Sequence, residues 1–264
     1  MTDSQLDIDA RIQVYYGGVF DVHARLTTRS AQGPLEFVRT QEIIRAHVSE
    51  GRVLDIGGGS GVHAVALRDA GFAVELIDPV PGHVAQARDA GIAAAVADAR
   101  DLPFSDGDFD AALMLGPLYH LASRGDRLSA LREAARVVRP RGFVFAAALS
   151  HYIAFGKATL ARPVPEPYPG EWLALAAEGR PAGGRFPAGH FHTAEELQAE
   201  VEAAGLEVLD VVGVEGPAGA LLEIVADAGE QLSDAALTVA RAASAVAGIR
   251  DMSAHLIAVA RVSS

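Results

Sequence analysis

Apolar residues follow two alternating patterns between residues 36 and 150. Short apolar runs of strand length occupy residues 52–56, 72–77, 93–97, 109–115 and 143–149. Helical spacing of apolar residues instead predicts helices over 36–48, 62–70, 83–90 and 123–138. Strands that alternate with helices through short connections indicate a parallel sheet with helices on both faces.

The pattern changes after residue 150. Residues 161–190 are rich in proline and glycine, which predicts a loop-rich insertion after the fifth strand. Thr193 and Glu196 form a capping-box pattern that opens a helix, and Gly205 closes it. Beyond it we predict strands over 206–214 and 254–262, with helices over 218–231 and 234–246 between them. We expect a single domain over 1–264, with 151–192 as a cap over the substrate.

The first 48 residues form a lead-in to this alternation. They contain an aromatic, glycine-rich stretch with Tyr15, Tyr16 and Phe20. These rings are candidates for a lid over a ligand, and the alternative is an aromatic anchor for the sheet. The N-terminus is polar and acidic, without the features of a signal peptide, so we expect a cytoplasmic protein.

Composition narrows the classes of function. The formal net charge of −12 argues against a protein whose main partner is nucleic acid. The chain has no cysteine, which excludes disulfides, a thiolate nucleophile, thiolate zinc sites and iron–sulfur clusters. The longest clean apolar run, residues 143–149, is too short to cross a bilayer, and we expect no membrane partner.

A glycine-rich loop follows the first predicted strand. The segment from Asp55 to Gly61 reads DIGGGSG and leads into a helix, the context that a nucleotide loop needs. The dinucleotide fingerprint requires glycine at the sixth position from Gly57, and Val62 stands there instead. Asp55 would repel a diphosphate, but it can accept hydrogen bonds from an ammonium group.

Two more carboxylates end successive strands. Asp78 closes the second and Asp98 the third. A carboxylate at the end of the second strand can accept both hydroxyls of a ribose, and one at the third can accept from an adenine amino group. Each Asp alone is typical of a turn or a helix cap. Together with Asp55 they share the carboxyl edge of one sheet, where open α/β sheets bind ligands.

These motifs resemble those of class I S-adenosylmethionine-dependent methyltransferases, of the methyltransferase 11/25-like, small-molecule type. The likeness rests on residues 55–61, Asp78, Asp98, the segment 113–120 and the turn 136–142, where Arg141 replaces a usual glycine. It implies a Rossmann-like, doubly wound α/β fold of seven strands in the order 3-2-1-4-5-7-6, with the last strand antiparallel. It also implies S-adenosyl-L-methionine as the cofactor and S-adenosyl-L-homocysteine as the product.

Carried over residue by residue, the resemblance implies a cofactor site in which the glycines hold the methionine part. Asp55 lies near the ammonium group, Asp78 holds the ribose, and Leu115 with Gly116 lines the methyl-donor mouth. The full set of expected cofactor-binding residues is Tyr16, Asp55, Gly57, Gly58, Gly59, Gly61, Asp78, Pro79, Asp98, Ala99, Leu115, Gly116 and Tyr119.

Catalytic and substrate candidates are less specific. Methyl transfer by in-line displacement needs a general base only when the acceptor arrives protonated. Tyr119, His120 and His151 follow the fourth and fifth strands and are the catalytic candidates. The expected substrate-binding residues are Tyr15, Phe20, His120, His151, Trp172, His190 and His192. Each histidine alone is more typical of a hydrogen-bonded pocket wall or a helix cap. No clear third ligand lies near the His190–His192 pair, so we expect no metal.

The acceptor is expected to be a small molecule with an O, N or C nucleophile. The segment Gly116-Pro117-Leu118-Tyr119 departs from the motif of nucleobase amino-methyltransferases, and no basic groove is evident. Three alternatives stay open: a protein methyltransferase, an NAD-dependent oxidoreductase and a non-catalytic S-adenosylmethionine-binding protein. The oligomeric state is open between monomer and homodimer.

Overall fold

A computed structural model describes residues 4–18, 21–152, 175, 177–181 and 186–264. Two predicted substrate residues, Phe20 and Trp172, lie outside these ranges, as does most of the predicted insertion. Among the described helices, none combines the length and apolar character that a membrane crossing requires.

A seven-stranded sheet forms the centre of the molecule. Its strands follow the order β3-β2-β1-β4-β5-β7-β6, and β7 runs antiparallel to both β5 and β6. The other neighbouring pairs are parallel. This order and direction confirm the predicted fold. The strands are β1 Arg52–Ile56, β2 Ala73–Asp78, β3 Ala93–Val96, β4 Phe109–Met114, β5 Val138–Leu149, β6 Leu206–Gly213 and β7 His255–Val262.

Helices precede the sheet and connect its strands. The α-helices of the described residues are α1 Gln5–Gly18, α2 Val22–Thr27, α3 Gln32–His47, α4 Val62–Asp69, α5 Pro81–Asp89, α6 Arg124–Val137, α7 Ala194–Ala203, α8 Gly219–Leu222 and α9 Gly229–Ala243. Short 3₁₀ turns lie at Pro117–His120, Gly216–Ala218 and Arg250–Met252. The capping box at α7 is confirmed, because Thr193 and Glu196 exchange side-chain hydrogen bonds with each other's backbone N–H groups.

The central strands are buried on both faces because successive side chains point to opposite sides of the sheet. On one face, Leu54 and Met114 pack with residues of α6 and α7 such as Leu131. On the other, Val53 and Leu113 pack with residues of α3 and α4. This two-sided burial fixes the register of the strands, and it brings the carboxyl ends of β1, β2, β4 and β5 to one edge.

The helix predicted over 218–231 is wrong. A 3₁₀ turn and the four-residue α8 occupy its start, and the chain leaves helical geometry before α9 begins at Gly229. Two contacts hold this break: the Val225 carbonyl accepts from the Ala31 N–H, and the Asp227 carboxylate accepts from the Gly229 N–H. A tertiary contact and an aspartate turn thus override the helical spacing of the sequence.

Candidate active site

The loop between β1 and α4 depends on glycine. Gly57 and Gly59 have φ values of 70° and 59°, which favour glycine. A Cβ atom on Gly58 would lie 2.5 Å from the Asp55 carboxyl group. The loop therefore packs directly on Asp55 and leaves its backbone open to a ligand.

Asp55, at the carboxyl half of β1, is a buried acid. It is 1% exposed, and its Oδ2 atom has no hydrogen-bond partner among the described residues. Burial, followed by the nearby charge of Asp78, raises the pKa of Asp55 to about 7. A buried carboxylate oxygen without a donor is costly, and a bound cation or donor would satisfy it.

Asp78, at the end of β2, uses most of its acceptor positions in hydrogen bonds within the protein. Its carboxylate accepts from the N–H groups of Gly59 and Val80, each at 2.9 Å, and lies 3.2 Å from His83 Nδ1. These contacts fix the carboxylate against the glycine loop. With roughly four acceptor positions on a carboxylate, about one is left for a ligand hydroxyl.

Asp98 follows β3 and is paired with Arg100. The guanidinium donates to both carboxylate oxygens, at 2.9 and 2.6 Å, and also reaches Asp9 of α1 at 3.3 Å. Burial alone would raise the pKa of Asp98, but the hydrogen bonds and charge of Arg100 lower it below its usual value. Asp98 thus stays ionised and is held in place.

A cavity of ≈ 270 Å³ lies at this edge of the sheet. Its wall combines residues of β1, β2 and the N-terminal helices with residues that follow β4. Sequence-predicted residues on its wall are Tyr16, Asp55, Gly57, Gly58, Gly59, Asp78, Pro79, Asp98, Ala99, Leu115, Gly116, Tyr119 and His120. Gly61 lies elsewhere: it has a φ of 85° at the N-cap of α4, and its Cβ position lies 3.4 Å from Ala87.

His120 is held at both ring nitrogens. Its Nδ1 atom lies 2.6 Å from the Pro187 carbonyl, so Nδ1 carries the proton and donates. Nε2 then accepts from the Tyr16 hydroxyl at 3.1 Å. Burial lowers the pKa of His120 to about 4, so the ring is neutral near pH 7. Because both nitrogens are engaged, His120 positions Tyr16 over the cavity and is a poor general base.

A second cavity, of ≈ 280 Å³, shares Tyr16, Arg25 and Tyr119 with the first. Aromatic walls come from Tyr15, Phe186 and Phe191, as well as from the shared tyrosines. Ser150 after β5 and His255 at the start of β7 also contribute, because the antiparallel β7 begins at the edge where β5 ends.

A buried ion network lies at the boundary of the two cavities. Arg25 of α2 donates to both carboxylate oxygens of Glu36, each at 2.6 Å. His255 Nδ1 lies 3.6 Å from Glu36 and hydrogen-bonds Glu215, which also accepts from Gln32. No local sequence pattern indicates this network, since its members come from α2, α3, the turn after β6 and the last strand.

Three predicted substrate histidines are absent from the walls of both cavities, within the part of the chain that the structure describes. His151 is buried next to Tyr152, with ring centroids 4.9 Å apart. His192 is fully buried at 3.2 Å from Glu200, which pairs with Arg127. The His190 ring packs edge-on against His192. This geometry favours a structural role for His190 and His192.

Part of the chain, including residues that line these cavities, is similar in sequence to known proteins. The family model described as "Methyltransferase domain" matches residues 54–146, which include the glycine loop, Asp78 and Asp98. A relative named malonyl-[acyl-carrier protein] O-methyltransferase, from Geobacter sulfurreducens, is 33% identical over 171 residues, covering 62% of this chain and 58% of that protein. Matches span between 22% and 61% of the length of the curated relatives.

Two solved structures share the fold over nearly the whole chain. A possible histamine N-methyltransferase from Thermotoga maritima has a TM-score of 0.62 at 19% identity, covering 96% of this chain and 99% of that one. A 1,6-didemethyltoxoflavin-N1-methyltransferase from Burkholderia thailandensis, solved with its namesake compound and S-adenosylhomocysteine, has a TM-score of 0.60 at 16% identity. It covers 100% of this chain and 92% of that one.

Proposed function

Because the chain belongs to the class I S-adenosylmethionine-dependent methyltransferases, whose cofactor is S-adenosylmethionine, we propose that it methylates a small molecule. The donor lies in the first cavity, and the acceptor enters the second. The two cavities share Tyr16, Arg25 and Tyr119, which supports a methyl group passing from one to the other at this boundary.

The observation that carries this proposal is the state of Asp55. A buried carboxylate without a partner, beside backbone that no Cβ covers, suits the α-ammonium group of an amino acid. A diphosphate would place negative charge against that carboxylate and against Asp78. The site therefore fits the methionine part of S-adenosylmethionine better than it fits a dinucleotide.

The other residues of the first cavity fit the rest of the cofactor. We assign Asp78 to one ribose hydroxyl, since His83 and two N–H groups already use most of its acceptor positions. Asp98 and Ala99 are assigned to the adenine. Leu115 and Gly116, which follow β4, are assigned to the sulfonium end.

The reaction needs positioning more than acid–base chemistry. S-adenosylmethionine, when bound, supplies a methyl group on a sulfonium that a nucleophile can displace in line. The chain's part is to aim the acceptor and exclude water, which the tyrosines and Phe186 at the boundary can do. His120 contributes by holding Tyr16, since both of its ring nitrogens are engaged.

A small acceptor is supported by the aromatic lining and the ≈ 280 Å³ volume of the second cavity, and the net charge of −12 disfavours a nucleic acid. The malonyl-[acyl-carrier protein] and toxoflavin-precursor methyltransferases among its relatives and structural neighbours have acceptors of different chemistry. We assign residues 1–48 to a lid over the cofactor and 151–192 to a cap over the acceptor.

Isothermal calorimetry with S-adenosylhomocysteine tests the cofactor half. We expect Asp55→Asn to weaken binding tenfold or more, because a neutral amide does not attract the ammonium group as the carboxylate does. A tenfold change in the dissociation constant corresponds to ~1.4 kcal/mol. Asp234→Asn, on the exposed side of α9, is the matched control and should bind like the wild type. Equal affinities for all three proteins would refute the assignment of Asp55.

Methyl transfer itself is tested with S-adenosylmethionine carrying a labelled methyl group. The protein is incubated with extracts of small metabolites and, separately, with extracts of macromolecules. Mass spectrometry should find the label in a small product that Asp55→Asn forms slowly. Label found only in protein or RNA would overturn the small-molecule proposal.

A further inference from the structure

The second cavity is lined by both aromatic and polar side chains. Tyr15 and Phe186 meet edge to face with ring centroids 5.9 Å apart, and Tyr119 lies 6.0 Å from Phe186. Such walls stack on a flat ring. His255 and Arg25 bring polar atoms to the same cavity.

His255 is oriented by two carboxylates. Its Nδ1 atom hydrogen-bonds Glu215, its backbone N–H donates to the other Glu215 oxygen at 3.0 Å, and Glu36 lies 3.6 Å from Nδ1. All ring hydrogen bonds of His255 within the described residues thus go through Nδ1. Nε2 is the polar ring atom left for the cavity that His255 lines.

The groups around His255 favour the positively charged form of its ring. Glu215 is fully buried behind the ring, and Glu36 lines the first cavity rather than the second. Burial would lower the pKa of His255, but the charges of Glu36 and Glu215 raise it above its usual value, against the opposing charge of Arg25. His63 of α4 adds no charge near pH 7, since burial lowers its pKa to about 4. Arg29 and Glu223 also line the cavity and add one charge of each sign.

We propose that His255 binds the acceptor oxygen through Nε2, and that the acceptor is a planar aromatic compound with an acidic hydroxyl, a phenol or an enol, that reacts as its oxyanion. This inference rests on the proposed function and specifies its acceptor. An imidazolium beside Arg25 stabilises an oxyanion and repels a protonated amine. Glu215 is a positioning residue, because it acts on the acceptor only through His255.

The bond changes balance without a further reagent. In this proposal His255 is an imidazolium whose two ring nitrogens both donate, so the acceptor hydroxyl gives its proton to water as it binds. An oxygen lone pair then forms the O–CH₃ bond, and the C–S electron pair goes to sulfur, giving neutral S-adenosylhomocysteine and a methyl ether. The enzyme therefore needs no free general base, which agrees with the engaged state of His120.

A chromogenic phenol tests this site directly. The probe is 4-nitrophenol, whose phenolate absorbs visible light and whose phenol does not, added to protein saturated with S-adenosylhomocysteine. We expect the bound probe to ionise about one pH unit lower than in buffer, a tenfold shift in its ionisation equilibrium. We also expect 4-nitroaniline, of the same shape but without an acidic hydroxyl, to bind at least tenfold more weakly.

Variants separate the role of His255 from a structural one. His255→Gln should abolish the shift in ionisation, Glu215→Gln should reduce it, and His47→Asn, an exposed histidine of α3, should leave it unchanged. S-adenosylhomocysteine binding by each variant is measured first as a check of folding. If His255→Gln does not fold, the reduced shift in Glu215→Gln decides the question.

The outcomes distinguish this inference from the proposed function. Failure of the wild type to bind S-adenosylhomocysteine counts against the proposed function. Binding of S-adenosylhomocysteine without binding of 4-nitrophenol, or with an unshifted ionisation, overturns the assignment of the second cavity. A shift that survives in His255→Gln, or a shift in Glu215→Gln as large as that of the wild type, overturns the role of His255.

Discussion

Asp55 shows how a single residue can oppose folding while it serves a ligand. It is buried on the central strand with an unsatisfied oxygen, and Asp78 adds like charge. Both effects penalise the ionised carboxylate in the free protein. A bound ammonium group would reverse the penalty, so the same feature costs stability and supplies affinity.

The ligand-free protein should therefore become less stable as Asp55 ionises. The pKa of Asp55 rises from 3.8 to about 7 on folding, so between these pH values the folded state binds more protons than the unfolded state. The free energy of unfolding contributed by this group falls as pH rises through that window. We expect Asp55→Asn to stabilise the ligand-free protein at pH 8 by on the order of 4 kcal/mol, and not at pH 4.

Urea unfolding at the two pH values measures this difference. Asp234→Asn serves as the exposed control and should change the midpoint little at either pH. Destabilisation by Asp55→Asn at pH 8 would mean that the carboxylate already has a favourable partner in the free protein.

Arg141 is a second residue at which local geometry makes a prediction. Its φ of 67° is the only positive value of a non-glycine residue in the described part of the chain. Arg141 lies in the irregular first part of β5, at the position where the resembled family has glycine. The sequence alone suggests that an exposed arginine there matters little, but the backbone angle assigns it a cost. We expect Arg141→Gly to stabilise the protein by about 1 kcal/mol. Arg141→Ala keeps the Cβ atom and is the matched control, and equal thermal midpoints for both variants would contradict the argument.

At the scale of elements, the observed strand and helix bounds agree with the apolar pattern where the tertiary contacts favour the same secondary structure as that pattern. The strand predicted over 52–56 is observed at Arg52–Ile56, because Val53, Leu54 and Ile56 are buried on opposite faces of the sheet. The region 218–231 fails because its outcome depends on Ala31, almost two hundred residues away. Local spacing carries no information about such a partner.

The same contrast holds for the candidate site. Asp55, Asp78 and Asp98 could be found from the sequence because each ends or adjoins a strand, and parallel strands bring their carboxyl ends together. His255 and Glu215 could not, since they meet Arg25 and Glu36 only when the antiparallel β7 is inserted beside β5. His192, predicted to bind the substrate, is fully buried and lies 3.2 Å from the buried Glu200, a partner that the local sequence does not indicate.

The capping box of α7 provides a prediction at this scale. The Thr193 hydroxyl accepts from the Glu196 N–H at 3.1 Å, and the Glu196 carboxylate accepts from the Thr193 N–H at 3.0 Å. We expect Thr193→Ala to lower the free energy of unfolding by about 1 kcal/mol, because the Glu196 N–H loses the hydroxyl that accepts from it. Thr238→Ala within α9 is the control and should be neutral or slightly stabilising. A loss of the same size in both variants would show that the cap contributes nothing.

At the scale of the whole molecule, α1 joins the N-terminal region to the sheet through polar contacts. The Gln5 side chain donates to the His120 carbonyl and accepts from the Ala122 N–H, and Gln13 donates to the Pro79 carbonyl. Of its aliphatic side chains, Ile8 and Ile12 are buried in a small cluster with Val80, whereas Leu6 and Val14 are 80% and 70% exposed. A helix held this way opens at low free-energy cost compared with the central strands.

We therefore expect ligand binding to close α1 over the first cavity, whose wall includes Ile12 and Tyr16. Hydrogen–deuterium exchange with and without saturating S-adenosylhomocysteine measures this. Amides of α1 should gain protection roughly tenfold or more, because the opened state loses contacts that only the liganded cavity offers. Amides of α9, which lines neither cavity, should change little. Protection confined to the glycine loop and α4, with α1 unchanged, would show that the N-terminal helices are a fixed wall rather than a lid.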